Sequence, residues 1–385
     1  MYQRVLRLPP DASCLLLGPR QTGKSTLARL DLPPHAWQVD LLAHETYLRY
    51  SKEPGLFRAE AEAKIRAGAK AVFVDEIQKI PALTDEIHAL YERFKTRFVL
   101  TGSSARKLRR GGANLLAGRA VMRRLHPLTA VEMGDDFDLD RTLRFGSLPA
   151  FVGGSPALTR ERLEAYAETY LREEVLAESL VRNLGGFARF LDVAAAQSGD
   201  LLNVSAVARD AAVAARTVTE YFGILEDTLL AFRLEPWGRS PRARMVQHPK
   251  VYFFDLGVLN ALCRRLSGPI DPALKGVLFE HFVVLEVVRG LDYAREEARP
   301  FFWRTHTGAE TDLVVEKHGR IRFGAEIKSK SRISGADLAG LRSFRDAHPE
   351  ARAVVVCTAP EERRIDGIDV LPYRVFLSRY LDYLG

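Results

Sequence analysis

The stretch LLLGPRQTGKSTLARL, residues 15–30, runs three leucines into two glycines and a lysine followed by two hydroxyls, Ser25 and Thr26, then resumes an apolar pattern. ASCLLL, residues 12–17, reads as a buried parallel strand, a short apolar run ended by glycine. GPRQTGKS fits the spacing G-x-x-x-x-G-K-[ST] through Gly18, Gly23, Lys24 and Ser25, and KSTLARL continues as a helix. This strand–loop–helix context is what a phosphate cradle requires. Gly18 and Gly23 allow a tight loop in which the backbone N–H groups of Pro19-flanking Arg20, Gln21 and Thr22 form an anion nest. The helix start adds the positive end of its dipole. Lys24 is placed to reach the β- and γ-phosphates and the Ser25 hydroxyl to ligate Mg²⁺, while Thr26 supports the loop.

A cradle alone hydrolyses nothing, so an acidic partner is needed at the end of another buried strand. AKAVFVDEIQKIP, residues 69–81, supplies it: Ala71–Val74 is apolar and ends in Asp75 and Glu76. Asp75 is read as holding Mg²⁺ through water, and Glu76 as polarising the attacking water. The alternative is an acidic cap opening the next segment. RFVLTGSS, 97–104, is a third strand running into Thr101, Gly102 and Ser103, where a hydroxyl is placed to meet the γ-phosphate or the water. WQVDLL (37–42) and AVMRRL (120–125) read as further strands, with helices over 43–52, 56–67 and 82–94. Alternation of strand and helix predicts a parallel sheet covered on both faces.

At 385 residues, two or three domains are expected. A hydrophobic content of 47% and a charged content of 27% describe a globular chain. No apolar run is long enough for a membrane span, and the start lacks a signal-like core, so a cytoplasmic protein is expected. Cys14, Cys263 and Cys357 sit among apolar neighbours without metal spacing and read as reduced core residues. The net charge is +7, unevenly spread: Arg93 to Arg124 holds ten Lys or Arg and no Asp or Glu, and 233–250 is a second basic cluster. Such blocks attract phosphate backbones; the other reading is a solvated face, or cations gathered around the protein's own nucleotide.

GPRQTGKST, FVDEIQKIP, LTGSSARKL and LLAGRAVMRRLHPLTAVEM together resemble the bacterial and archaeal AAA-type ATPases that carry a long C-terminal domain of unknown function, in order over residues 13–133. The resemblance implies ATP and Mg²⁺ as cofactors, and a five-stranded core with a sensor residue, here Ser103, between the two Walker elements. It also makes Arg119 of the AGR motif a candidate for stabilising transition-state charge, on its own nucleotide or a neighbouring subunit's; a surface or DNA-facing arginine is the alternative. FGSLPAFV, 145–152, resembles the G-x-P element that flanks the base in related switch-type ATPases.

Residues 134–155 read as a connector and 157–181 as a helical segment. In 203–237, a short helix capped by Ser205, a tight turn, a helix from about Arg216 to Asp227 and a strand outline a winged-helix module. Arg216, Thr217 and Thr219 would face DNA; the alternative is plain domain packing, or a nucleotide-sensing lid. Farther on, a helix over 274–290, strands at 301–305, 311–317 and 320–330, a helix and a last strand give the order α-β-β-β-α-β. With Glu280, Asp312, Glu326 and Lys328, this resembles the PD-(D/E)XK nuclease superfamily. Asp312 and Glu326 on adjacent strands, with Glu280 from the helix, would hold one Mg²⁺ through oxygen. Lys328, two residues after Glu326, shares its face and would activate a water. The bland alternative is an ion-paired cluster in a binding domain.

The expected fold class is thus α/β, a P-loop NTPase parallel sheet covered by helices, then a helical and winged-helix module and a C-terminal α/β restriction-endonuclease-like domain. The expected domains are 1–133, 134–185, 186–265 and 266–385. The expected function is an ATP-hydrolysing protein that acts on DNA, with a nuclease-like domain able to cleave it. The rival is an ATP-driven switch that docks DNA or protein without cutting. DNA is the expected partner, a second copy of the chain is left open, and a membrane is not expected.

Overall fold

The structure is a computed structural model, and it describes residues 1–104, 118–170, 183–238 and 248–385. The chain divides into two units: 1–128 with 148–150 and 223–230, and 129–147 with 151–222 and 231–385.

The first unit is built on five strands: β1 (Ser13–Leu17), β2 (Trp37–Asp40), β3 (Ala71–Asp75), β4 (Arg97–Gly102) and β5 (Ala120–Arg124). Their order is β2-β3-β4-β1-β5 and every pairing is parallel. β1 and β3 are buried at every position, as expected of strands covered on both faces. The helices are α1 (Lys24–Asp31), α2 (His44–Lys52), α3 (Pro54–Arg66) and α4 (Leu83–Phe94), each within a few residues of its sequence-based span. One core joins Leu15, Val72, Val74 and Phe98 of the sheet to Phe57 of α3 and Ile87 of α4. β4 lies between β1 and β3, as the resemblance implied. Registers Leu17↔Gly102 and Asp40↔Asp75 bring the carboxyl ends of the strands level, and that edge is where open α/β sheets bind ligands.

The second unit opens with α5 (Ala130–Met133) and α6 (Leu139–Phe145). α5 is headed by a capping box in which the Thr129 hydroxyl accepts from Glu132 N and the Glu132 carboxylate accepts from Thr129 N. α7 (Pro156–Ala165) starts on the Ser155 cap and passes into a wider helical turn, Tyr166–Tyr170. The rest of the helix expected over 157–181 lies outside the described residues, as does most of the basic stretch 239–250.

α8 (Leu184–Ala196), which the sequence did not suggest, packs Phe187 and Phe190 on Tyr221 and Phe222. α9 (Val204–Asp210) is capped by Asn203, whose Oδ1 accepts from Ala206 N, and not by Ser205. The cap lies two residues earlier, at an asparagine that caps a helix as well as a serine does. α10 (Ala215–Asp227) and the antiparallel pair β6 (Ala231–Leu234) and β7 (Lys250–Phe253) complete the helix–turn–helix–strand outline.

α11 (Leu256–Leu262) is capped by Asp255, and the 23-residue α12 (Pro272–Ala294) by Asp271. Six strands follow: β8 (Ala298–Arg304), β9 (Glu310–Lys317), β10 (Arg320–Lys328), β11 (Arg352–Cys357), β12 (Arg363–Ile365) and β13 (Ile368–Pro372). α13 (Ala339–Ala347) joins β10 to β11, and α14 (Tyr373–Arg379) follows β13. The sheet order is β12-β13-β11-β10-β9-β8. β8, β9 and β10 form an antiparallel meander and β11 runs parallel to β10, so the α-β-β-β-α-β order is present, extended by two strands at the far edge. Cys14 and Cys357 are buried, and burial pushes the Cys14 thiol up to about 11.

Glu286 of α12 accepts from Ala130 N at 2.9 Å and faces Arg289, which also donates to Ser147 Oγ and Phe254 O. Burial raises its carboxyl from 4.5 to about 7, against the pull of Arg289 and the Ala130 N–H. A carboxyl with a raised folded pKa contributes its stability fully below the unfolded value and loses it as pH rises through the folded one. The melting temperature is therefore expected to fall between pH 4.5 and about 7, in part through Glu286. Glu286→Gln is expected to flatten that fall in calorimetric melts; an unchanged slope would count against it.

Candidate nucleotide site and a second charged cluster

The loop after β1 is fixed by backbone contacts. Gly18 N donates to Gly102 O at 3.2 Å, and Leu125 N donates to Leu17 O at 2.7 Å. A Cβ on Gly18 would sit 2.3 Å from Leu125 O, so Gly18 is needed for close approach. Gly23 is needed for its left-handed backbone, φ 91°, at the head of α1. Gln21 is left-handed as well, at φ 60°. The Lys24 ammonium is buried and folds back on the loop, donating to Gly18 O at 2.9 Å and Pro19 O at 3.0 Å. These are carbonyls of the cradle itself, so a bound phosphate would draw the ammonium off them. Thr22 Oγ1 donates to Pro19 O at 2.8 Å, closing the loop.

Ser25, Asp75 and Thr101 converge although they lie on three different elements. Ser25 Oγ donates to Asp75 Oδ1 at 2.9 Å, and Thr101 Oγ1 donates to the same oxygen. Thr101 Oγ1 also accepts from Glu76 N at 3.1 Å. Glu76 stands at φ 59°, a left-handed setting that costs a non-glycine residue roughly 1–3 kcal/mol and collects at functional sites. Gln78 Nε2 donates to Glu76 Oε2 and, at 3.0 Å, to Ser103 Oγ. Arg29 of α1 adds a cation 3.4 Å from Asp75 Oδ2.

A hydroxyl and a carboxylate in contact beside a phosphate loop are the hard oxygen donors that Mg²⁺ takes. Ser25 and Asp75 therefore fit the implied metal. A cavity of about 680 Å³ adjoins Gln21–Gly23, walled by Tyr2, Leu6, Leu8, Leu128 and Pro149. It is mostly apolar, as a base site is. Arg20 is half-buried and Thr26 exposed, and Thr26 lines this cavity.

Two placements were not legible in the sequence. Arg4, on the segment before β1, donates to Thr22 O at 2.7 Å and to His126 O at 2.6 Å, bracing the loop from outside. Arg119 precedes β5, whose first residue pairs with Ser13, so it lies at the edge of the sheet opposite Gly18. There it donates to Glu92. Hydrogen bonds from Lys95 and Arg119 hold the Glu92 carboxyl down at about 2.

In the second unit, Asp312, Glu326 and Lys328 come together on β9 and β10. Lys328 Nζ lies 2.6 Å from Glu326 Oε1 and 3.7 Å from Asp312 Oδ2, and that Asp312 oxygen also accepts from Ile327 N at 2.7 Å. Burial raises the Asp312 carboxyl well above the usual range, with Glu280 and Glu326 adding to it. Burial raises Glu326 too, against the pull of Lys328. Burial alone would lower Lys328; the carboxylates of Asp312 and Glu326 outweigh it and raise its pKa.

Glu280 is held differently. Its Oε1 accepts from Tyr252 OH at 2.8 Å and from Lys250 Nζ at 3.2 Å, and Lys250 also pairs with Glu310 at 2.8 Å. Lys250 is 5% exposed. Sequence reading missed it, because it stands next to a basic stretch and reads as one more surface cation. Among the described residues, no three of His, Cys, Asp and Glu are grouped as a metal ion would need. Glu280 is thus tied to Lys250 and Tyr252, while Asp312 and Glu326 share Lys328.

Residues 11–134 match the model of an AAA domain, residues 136–268 a domain of unknown function (DUF8612), and residues 275–376 another (DUF4143). An uncharacterized protein of Mycobacterium tuberculosis is 29% identical over 326 residues, which cover 82% of this chain and 70% of that protein; one of Mycobacterium bovis gives the same figures. An uncharacterized protein of Haemophilus influenzae is 21% identical over 386 residues, covering 93% and 92%. Among solved structures, the replication initiator DnaA bound to AMPPCP and single-stranded DNA is similar at 13% identity, covering 56% of this chain and 82% of that one, with a TM-score of 0.29. On the match to the AAA-domain model and its phosphate loop, the N-terminal part of the chain is AAA-type and ATPase-like. No helix among the described residues is long and apolar enough to cross a membrane.

Removing the Arg4 brace leaves two carbonyls without their charged donor, a loss of about 2 kcal/mol. Arg4→Ala is expected to lower the melting temperature and weaken nucleotide binding together. A melting curve and nucleotide titration matching the parent protein would refute the brace.

Proposed function

We propose that the protein binds and hydrolyses ATP with Mg²⁺ and couples that cycle to DNA. The observation that carries the ATPase reading is the sharing of one Asp75 carboxylate oxygen by the Ser25 and Thr101 hydroxyls, beside a lysine-capped phosphate loop. Mg²⁺, when bound, neutralises the charge that develops on the phosphates. Lys24 leaves the loop carbonyls to pair with the β- and γ-phosphates. Glu76 accepts a proton from the attacking water, and Ser103 lies at the same strand edge. Arg119 lies at the opposite edge, so a charge-stabilising role for it calls for a neighbouring copy of the chain. Sedimentation with and without an ATP analogue tests that.

Support for DNA as the partner comes from the two basic clusters of the sequence and from the α9–α10–β6–β7 outline. Arg216 and Thr219 are exposed at the start of α10. Arg216 pairs only with Glu220 of its own helix among the ion pairs of the described residues. Tyr221 and Phe222 of α10 are meanwhile packed on Phe187 and Phe190 of α8, and Val218 is buried, so these residues serve packing.

Cleavage of DNA by the second unit is the second reading. It is favoured by the meander-plus-parallel strand order and by the meeting of Asp312, Glu326 and Lys328. The pairing of Glu280 with Lys250 favours the rival, a domain that binds without cutting.

Lys24→Ala is expected to abolish Mg²⁺-dependent ATP hydrolysis, and normal turnover in that variant would end the ATPase reading. Incubation with Mg²⁺ and single-stranded, duplex or branched DNA separates the readings of the second unit. Cleavage lost in Asp312→Ala with ATPase activity intact supports the nuclease; binding without cleavage in the parent protein supports the rival.

A further inference from the structure

We propose that Gln78 is a positioning residue of the hydrolytic step, locking the Glu76 carboxylate in register with Ser103. This rests on the reading of Glu76 as the group that polarises the attacking water. Gln78 lies in the single helical turn Ile77–Lys79 directly after β3 and is 4% exposed. Its NH₂ group has two protons, and both are used, one on Glu76 Oε2 and one on Ser103 Oγ. The chemistry fixes the amide orientation. Turned over, it would set a carbonyl oxygen against a carboxylate at hydrogen-bonding distance.

Space for this amide is provided by Gly102, the last residue of β4. A Cβ there would lie 3.0 Å from Gln78 Oε1 and 3.3 Å from the Leu17 side chain. Any other residue would press on the amide. Glu76 is held at its other end too, since its N–H is tied to Thr101 Oγ1, the hydroxyl that also donates to Asp75. The residue is therefore pinned by its backbone to the metal-binding side of the site and by its carboxylate, through Gln78, to the loop after β4. With Oε2 committed to Gln78, Oε1 is the oxygen left to take a proton from water. A displacement of Ser103 reaches the Glu76 carboxylate through a single amide. Sequence reading passes over Gln78 because IQKIP looks like the polar start of the next segment.

The test uses the full chain, with ATP hydrolysis, nucleotide titration and melting temperature measured on each variant. Gln78→Ala is expected to lower kcat by about 100-fold, the usual effect of a catalytic group displaced by an ångström. Nucleotide affinity and melting temperature should stay near those of the parent protein. Gln78→Glu removes the amide donor and places a second carboxyl beside Glu76, and like charges in contact repel. Its kcat is expected to fall at least as far as that of Gln78→Ala, because the amide donor that holds the Glu76 carboxylate is gone and a repelling group stands in its place.

Ser103→Ala combined with Gln78→Ala is expected to cost no more than Gln78→Ala alone, because residues of one network do not add. Full kcat in Gln78→Ala, parent-like kcat in Gln78→Glu, or additive losses in the double variant would each overturn the proposal. Absence of Lys24-dependent hydrolysis in the parent protein would instead remove the ATPase reading on which it stands.

Discussion

One carboxylate oxygen, Oδ1 of Asp75, organises the nucleotide end of the molecule. It receives the Ser25 hydroxyl from the helix after β1 and the Thr101 hydroxyl from the end of β4. Three segments far apart in sequence are thereby held at one point on the carboxyl edge of the sheet. The contact exists only because β4 is inserted between β1 and β3 with their ends level. Asp75 is 2% exposed, and a buried carboxylate without donors is costly. The parallel sheet, the phosphate loop and the paired hydroxyls are therefore one construction, and the strained backbone of Glu76 is held by it.

The second unit solves the same problem of buried charge with ammonium groups. Lys250 stands between Glu280 and Glu310, and Lys328 between Asp312 and Glu326. Removing either lysine would leave uncompensated carboxylates, typically a loss of roughly 3–5 kcal/mol. The strands that carry these residues are buried and near-continuous, with Val314, Val355 and Phe344 among the core around them.

Much of this was legible where the signal is local. The phosphate loop, the five parallel strands and the α-β-β-β-α-β order follow from apolar runs, glycine spacing and strand-end carboxylates, all within windows of about a dozen residues. What stayed hidden depends on contacts between distant segments. The need for Gly18 comes from Leu125 O, across more than a hundred residues. Arg4 serves carbonyls 18 and 122 residues away and reads in sequence as one more basic residue of the first turn. Arg119 looked like a site residue by motif, yet the direction of β5 carries it to the far edge. α8 went unread because LGGFARFLDVAAA begins with two glycines, which weaken a helical pattern. β12, β13 and α14 lie past the last recognisable motif and gave no comparable signal.

The central claim is that Asp75 and Ser25 together form the Mg²⁺-dependent half of a triphosphate site. The most direct test is titration of a fluorescent ATP analogue with and without Mg²⁺, in the parent protein and in Asp75→Asn. The account requires Mg²⁺ to strengthen binding in the parent protein and that strengthening to vanish in the variant. Binding that ignores Mg²⁺ in the parent protein, or a Mg²⁺ effect that survives in Asp75→Asn, would contradict it.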